Sequence, residues 1–145
     1  MICPSWEKCS VNSSNRTILQ LDPGLAFGTG THETTRLCLE LLEKYINSNV
    51  NVLDVGCGSG ILSIASILLG AKSATGVDID ELAVKTALEN AKINNVNNKI
   101  NAVCGNLTEK ISGKFGIIVA NIVADVIIDL NKSIKNYMNE NSIYL

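Results

Sequence analysis

Three glycines, Gly56, Gly58 and Gly60, alternate with single residues directly after the β-rich run 51–55. A strand that turns sharply into a helix favours glycine, because a Cβ would obstruct both the turn and the approach of a ligand to the backbone. A glycine-rich turn can also be purely structural. The turn by itself therefore leaves both interpretations open.

A carboxylate, Asp78, lies 22 residues after Gly56, at the end of the next predicted strand. At that position it can accept hydrogen bonds from both hydroxyls of a ribose. The alternative is that it caps the following helix, but Asp80 can supply that cap instead. The turn and the carboxylate together predict a nucleoside ligand.

The glycine spacing separates two classes of nucleoside cofactor. Dinucleotide enzymes favour Gly-x-Gly-x-x-Gly, with the pyrophosphate at the N-terminus of the helix. Here the spacing is Gly-x-Gly-x-Gly and Asp54 precedes it. The pattern resembles the turn of S-adenosylmethionine methyltransferases, in which no phosphate has to be held. An NAD-dependent oxidoreductase domain is the alternative from another class.

A second, longer pattern is the segment 21–35, LDPGLAFGTGTHETT. It resembles, nearly letter for letter, the segment before the first strand of ribosomal protein L11 methyltransferases. The resemblance continues through 2–6, the glycine turn, 76–80 and 120–122, so it covers essentially the whole chain. It implies an S-adenosylmethionine-dependent N-methyltransferase that acts on amino groups of this large-subunit ribosomal protein.

The resemblance also implies which residues hold the cofactor. In that family they are the second threonine of His-x-Thr-Thr, the first glycine of the turn, the acidic residue after strand two and the asparagine after strand four. Apart from the resemblance, two further glycines belong to the same turn, and Phe27 either closes over the cofactor or plugs the core. The expected cofactor-binding residues are Thr35, Gly56, Gly58, Gly60, Asp78, Asn121 and Phe27.

Asn121 is also the candidate catalytic residue. An amine attacks a methyl group only when neutral, which at pH 7 costs a lysine roughly 4 to 5 kcal/mol and an α-amino group about 1 kcal/mol. After a buried strand, the side-chain oxygen of Asn121 could accept from the amine and orient its lone pair. A helix N-cap is the alternative role and does not exclude the first.

A nucleic-acid adenine methyltransferase is the rival within methyl transfer. Its related motif follows Asp or Asn with two prolines and an aromatic ring that stacks on a flipped base. Here Asn121 is followed by Ile122, Val123 and Ala124, and the formal net charge of the chain is −2. Both features argue against a nucleic-acid substrate.

Strand and helix patterns alternate along the chain. Strands are predicted at 51–55, 73–77, 100–104, 115–120 and 142–145, and one last helix is predicted to carry Val123, Ile127, Leu130, Ile134 and Tyr137 on one face. This alternation predicts an α/β fold, a mostly parallel sheet with helices on both faces. The resemblance makes it the Rossmann-like class I methyltransferase fold.

Bulk properties set the remaining expectations. The 145 residues predict one domain, and no apolar run approaches the roughly 20 residues that cross a bilayer. The N-terminus lacks a secretory pattern, so a cytoplasmic location is expected. The five cysteines form no Cys-x-x-Cys pair and only one histidine is present, which predicts free thiols and no metal.

The chain departs from the family in two ways. Glu33 stands where the family usually has proline, and either residue suits the first turn of a helix. The family also carries an additional N-terminal recognition domain and a seven-stranded sheet, so a catalytic-domain fragment is expected, with a cofactor-binding remnant without activity as the alternative. The edge at 142–145 is then expected to fray or to pair with a second copy as a homodimer.

Overall fold

The computed structural model describes residues 1–7, 17–22 and 32–145. Phe27, one of the expected cofactor-binding residues, lies outside these ranges. Two short strands, β1 (Ile2–Pro4) and β2 (Leu19–Leu21), pair in parallel as a ribbon of their own. The rest of the described chain forms one layered α/β unit.

Five strands form the main sheet. They are β3 (Asn51–Val55), β4 (Ser73–Asp78), β5 (Ile100–Cys104), β6 (Phe115–Val119) and β7 (Met138–Tyr144). Their spatial order is β5-β4-β3-β6-β7, and every neighbouring pair is parallel. The prediction of a mostly parallel sheet is confirmed.

The described chain has four α-helices, of which the first precedes the sheet and the other three connect its strands. They are α1 (Glu33–Tyr45), α2 (Ile61–Leu68), α3 (Glu81–Ile93) and α4 (Ala124–Asn131), and a 3₁₀ helix (Ile134–Tyr137) follows α4. Alternate residues of a strand point to opposite faces of its sheet. Val52 accordingly packs in one apolar cluster with α1, α2 and α3, whereas Leu53 packs in another with Leu130 of α4 and Ile134. Helices therefore cover both faces, as predicted.

The strand order has its switch point at the carboxyl end of β3. The chain leaves β3 for β4 on one side, and β6 returns to pair with β3 on the other. Ligands of open α/β sheets bind at such a switch point, beyond the carboxyl ends of the strands. The glycine turn after β3 and Asn121 after β6 both lie at this edge.

The end of the chain differs from the prediction. The last helix is not continuous: α4 ends at Asn131 and the 3₁₀ helix is separate, while Val123 is only the N-cap of α4 and is 69% exposed. β7 begins at Met138, four residues before the predicted strand. Its first half is polar and exposed and the register shifts there, so apolar residues mark only the regularly paired part around Ile143.

The cysteines also differ in part from the prediction. Cys38, Cys57 and Cys104 are free thiols as expected, but Cys3 of β1 is disulfide-bonded, with its partner outside the described residues. An odd number of scattered cysteines does not prevent one pair from meeting in space, and sequence spacing alone does not reveal that proximity. No helix in the described ranges is long and apolar enough to cross a membrane.

Candidate active site

The glycine turn needs glycine at all three positions. Gly56, Gly58 and Gly60 have φ angles of 72°, 52° and 81°, in the left-handed region that side chains with a Cβ rarely adopt. The backbone N–H groups of Gly56 and Cys57 donate to the carbonyl oxygen of Val77 at 2.8 and 3.0 Å. These bonds fasten the turn to the neighbouring strand β4.

Two of these glycines also have close neighbours. A Cβ on Gly56 would overlap the side chain of Ile122, the residue after Asn121. A Cβ on Gly60 would lie 2.9 Å from the Cβ of Ala87 on α3, so the packing of α3 against the turn explains this glycine without a ligand. The absence of a side chain at Gly56 lets the turn approach the loop that follows β6.

Asp78 lies half-buried at the carboxyl end of β4. Its Oδ2 accepts from the Gly58 N–H at 2.9 Å and its Oδ1 accepts from the Asp80 N–H at 3.0 Å. Asp80 itself caps α3, because its Oδ1 accepts from the Leu82 N–H at 2.9 Å. The capping role predicted for Asp80 is confirmed, and each oxygen of Asp78 retains a lone pair for a ligand hydroxyl.

Asp54 is the buried carboxylate beneath the turn, and it is only 1% exposed. Its Oδ2 accepts from the backbone N–H of Ser63 at 3.0 Å and from the Ser63 hydroxyl at 2.7 Å. Gly60 is the N-cap of α2 and has no side chain, so Asp54 satisfies an N–H group that a capping side chain would otherwise satisfy. Burial raises the pKa of Asp54 to about 6, against the lowering effect of the two Ser63 hydrogen bonds.

Cys57 occupies the middle of the turn and is buried. Burial, and then the nearby carboxylates Asp54 and Asp78, raise the pKa of its thiol far above the usual range. A neutral thiol is a poor nucleophile. Cys57 instead fills the space beside Gly76 of β4.

Thr35 and Asn121 meet across the site although 86 residues separate them in the chain. The Nδ2 of Asn121 donates to the Oγ1 of Thr35 at 3.1 Å. Thr35 is in the first turn of α1 and is only 3% exposed, while Asn121 is half-buried. Since the amide nitrogen is held by Thr35, the Oδ1 of Asn121 is the end that can accept a hydrogen bond from a substrate.

The structure thus brings the predicted residues together at one edge of the sheet. Asn121 contacts Thr35, Ile122 lies against Gly56, and Gly58 donates to Asp78. Their contacts with a cofactor stay predictions, as does the role of Phe27. Within the described ranges, no three His, Cys, Asp or Glu side chains form a group that could hold a metal ion.

Two residues that the sequence analysis did not single out also support this edge. Asn90 of α3 is 1% exposed; its Oδ1 accepts from the Asp22 N–H, and its Nδ2 donates to the carbonyl oxygens of Asp22 and Ser59, each bond being 2.9 Å long. Asn94 makes the corresponding pair of bonds with Gln20. The available signal was two asparagines four residues apart, one within α3 and one at its C-terminal end.

Comparison with known proteins agrees with this geometry. A family model described as ribosomal protein L11 methyltransferase (PrmA) matches residues 1–145. The ribosomal protein L11 methyltransferase of Caldicellulosiruptor saccharolyticus is 50% identical over 145 residues, which are 100% of this chain and 47% of the relative. That of Alkaliphilus oremlandii is 47% identical over the same length, 46% of the relative. The chain therefore spans about half the length of these curated relatives.

A solved structure gives the same result in three dimensions. The ribosomal protein L11 methylase from Lactobacillus delbrueckii subsp. bulgaricus has a TM-score of 0.91 and 39% identity, covering 99% of this chain and 74% of that one. The predicted Rossmann-like class I methyltransferase fold is confirmed, and an NAD-dependent oxidoreductase is not favoured. With the family match running over all 145 residues, the chain belongs to the ribosomal protein L11 methyltransferase family.

Proposed function

We propose that this chain is the catalytic, cofactor-binding domain of an S-adenosylmethionine-dependent N-methyltransferase whose substrate is ribosomal protein L11. The observation that carries the proposal is the hydrogen bond that joins Asn121 to Thr35 beside the glycine turn. It holds the Asn121 amide at the edge of the sheet where Ile122 lies against Gly56 and the carboxylate of Asp78 accepts from Gly58. These are the groups that a methyl transfer to an amine needs.

The residues present fit S-adenosylmethionine better than a dinucleotide. In dinucleotide folds the N-terminus of the helix after the turn holds a pyrophosphate. Here the buried carboxylate of Asp54 already accepts from the Ser63 N–H in the first turn of α2. A second anion at this helix end would meet Asp54, which is largely ionised at pH 7 because its pKa is about 6. A nucleoside without phosphates avoids that repulsion.

In the proposed complex, Asp78 accepts hydrogen bonds from the two ribose hydroxyls and the glycine turn lies along the amino-acid end of the cofactor. When bound, S-adenosylmethionine supplies the methyl group on a positively charged sulfur. The protein then has to position a neutral amine in line with that methyl group and exclude water. We expect the charge-assisted hydrogen bonds from the ribose hydroxyls to Asp78 to contribute part of the binding free energy of the cofactor.

Asn121 orients the amine in this proposal. Its Oδ1 accepts a hydrogen bond from the substrate N–H, which aims the nitrogen lone pair towards the methyl group. Thr35 prevents the amide from rotating, because its Oγ1 accepts from Nδ2. Asn121 is therefore the proposed catalytic residue, and Thr35 holds it in place.

We infer the binding partners of this chain from the same family. The relatives are about twice as long as this chain, and we propose that their remaining length provides recognition of the ribosomal protein. The net charge of −2 and the aliphatic residues after Asn121 favour a protein over a nucleic acid as substrate. We propose action in the cytoplasm, with no direct nucleic-acid or membrane partner.

Two assays on one preparation test the proposal. S-adenosylhomocysteine and NAD are titrated separately by calorimetry, and methyl transfer from labelled S-adenosylmethionine to purified L11 is then measured. The expected result is binding of S-adenosylhomocysteine but not NAD, with little or no label transferred to L11 by the chain alone and efficient transfer once the relatives' remaining length is fused to it. Binding without transfer, also when the relatives' remaining length is fused to the chain, would indicate a cofactor-binding remnant, and binding of NAD alone would overturn the proposal.

A further inference from the structure

One edge of β2 is held by side chains of a helix in place of a third strand. On its other edge β2 pairs with β1, since Leu19 N–H donates to the Met1 carbonyl at 2.9 Å and Ser5 N–H donates to the Leu21 carbonyl at 3.0 Å. The N–H and C=O groups of Gln20 and Asp22 point the opposite way, towards α3. Asn94 and Asn90 satisfy them.

The spacing of the two asparagines matches the strand. Four residues of α-helix rise about 6 Å, and two residues of strand rise about 6.6 Å. Asn90 and Asn94 can therefore each face one of the two backbone positions Asp22 and Gln20. Each amide both accepts and donates, as a backbone peptide of a neighbouring strand would.

Asn90 differs from Asn94 in its second donated bond. Asn94 gives that bond to the Asn90 carbonyl of its own helix at 2.8 Å. Asn90 gives it to the Ser59 carbonyl at 2.9 Å, and Ser59 lies between Gly58 and Gly60 in the glycine turn. Among the described residues, this one side chain thus connects the turn, α3 and the end of β2.

We propose that Asn90 is a positioning residue for the cofactor site, an inference that rests on the proposed function. Through Ser59 it fixes the half of the turn whose Gly58 N–H donates to Asp78. Through Asp22 it fixes the residue that precedes the segment 23–31, which contains Phe27. Loss of Asn90 would release the turn relative to Asp78, so the nucleoside would bind less tightly.

Asn94 provides the matched control. Asn90→Ala and Asn94→Ala each remove one asparagine from this side of α3, together with two hydrogen bonds to the backbone at the outer edge of β2 or just after it. Only Asn90→Ala removes a hydrogen bond to the turn. Both variants are compared with the wild-type chain by urea unfolding and by calorimetric titration with S-adenosylhomocysteine, and Asn90→Ser is included as a milder change should Asn90→Ala not fold.

The expected result is a lower urea midpoint for both positions but a loss of affinity of at least tenfold only at Asn90. Hydrogen exchange at the amides of the turn should also become faster in the Asn90 variant than in the Asn94 variant. Equal affinities and equal exchange rates in the two folded variants would overturn the positioning role while leaving the proposed function intact. Failure of the wild-type chain to bind S-adenosylhomocysteine would instead overturn the proposed function.

Discussion

The amide of Asn121 has two ends with different partners. Its nitrogen donates to Thr35 at 3.1 Å, which leaves its oxygen as the end that can accept from a ligand. Thr35 is well suited to hold the Asn121 amide, because it is nearly buried and its β-branched side chain has few alternative rotamers. Orientation of a reacting amine to within a fraction of an ångström can account for a large part of a rate enhancement.

Substitutions at the two residues should have different effects on methyl transfer to L11. Asn121→Ala removes the accepting oxygen and should lower kcat by about a hundredfold or more. Thr35→Val keeps the shape of the side chain but releases the amide nitrogen of Asn121. We therefore expect kcat to fall by a smaller factor, with little change in the KM for L11. Thr35→Ser keeps the hydroxyl and serves as the control. Equal kcat values for Thr35→Val and wild type would contradict the orienting role.

Asp54 makes stability depend on pH. Its pKa in the folded chain is about 6, above the value near 3.9 of an exposed aspartate, so between these pH values the folded state retains a proton that the unfolded state has lost. The contribution of this group to stability is therefore present at low pH and is lost as the pH rises from about 4 to about 6, by up to about 3 kcal/mol.

Asp54→Asn tests whether Asp54 makes the folded chain less stable as the pH rises. The difference in unfolding free energy, wild type minus variant, should decrease by up to about 3 kcal/mol when urea unfolding is repeated from pH 4 to pH 7. The variant has no titrating group at this position, so the pH dependence that the two proteins share cancels in the difference. A difference that stays constant with pH, or that grows as the pH rises, would show that the buried carboxylate does not have the raised pKa.

At the scale of elements, the turn after β3 fixes where α2 begins and how α3 packs. Gly60→Ala combines a positive φ with a Cβ placed 2.9 Å from Ala87. Gly70 has a φ of 108° and open space within 4 Å of where a Cβ would lie, so Gly70→Ala measures the backbone cost alone. Gly60→Ala should lose more stability, by about 1 to 3 kcal/mol over the control. Equal losses of stability for Gly60→Ala and Gly70→Ala in thermal unfolding would show that α3 moves away from the added Cβ at little cost.

The elements that could be predicted from the sequence are those with a strong local pattern. Short runs of β-branched and other apolar residues identify β3 and β6, and a carboxylate at the correct distance identifies Asp78 and its capping neighbour Asp80. The predicted start of β7 is too late because the first residues of this strand are polar and lie at a sheet edge. The break after α4 carries no proline or glycine signal in 131–134.

The site residues that could not be predicted depend on contacts distant in the chain. Asn90 bonds Asp22, 68 residues away, and a lone asparagine in a helix is more often exposed to solvent. The Thr35–Asn121 hydrogen bond connects two residues that the family resemblance named separately, and neither sequence position indicates the other. Such pairs become visible only when the sheet order is known.

At the scale of the whole molecule, β7 lies at one edge of the five-stranded sheet. Ile143 and Tyr144 pair with β6 on one side, and within the described chain no strand pairs with the other side. Unpaired strand edges favour association with another chain. We therefore expect this chain to form homodimers in a concentration-dependent manner through β7.

Analytical ultracentrifugation over a range of concentrations measures this association. Ile143→Lys places a charge on the paired part of β7 and should shift the equilibrium towards monomer, whereas Lys85→Ala, at an exposed position of α3, should not. A wild-type chain that sediments as a monomer at every concentration would contradict the dimer. The cofactor proposal does not depend on that outcome.

Affinity for S-adenosylhomocysteine in Asp78→Ala, compared with Asp80→Ala, tests the central claim most directly. Asp78 is proposed to accept from the ribose, while Asp80 caps α3 next to it. Calorimetry should show affinity lower by tenfold to a hundredfold in Asp78→Ala, from the loss of about 1.5 to 3 kcal/mol. Asp80→Ala should cost about 1 kcal/mol of stability and leave the affinity nearly unchanged. Unchanged affinity in a folded Asp78→Ala chain would contradict the proposed site.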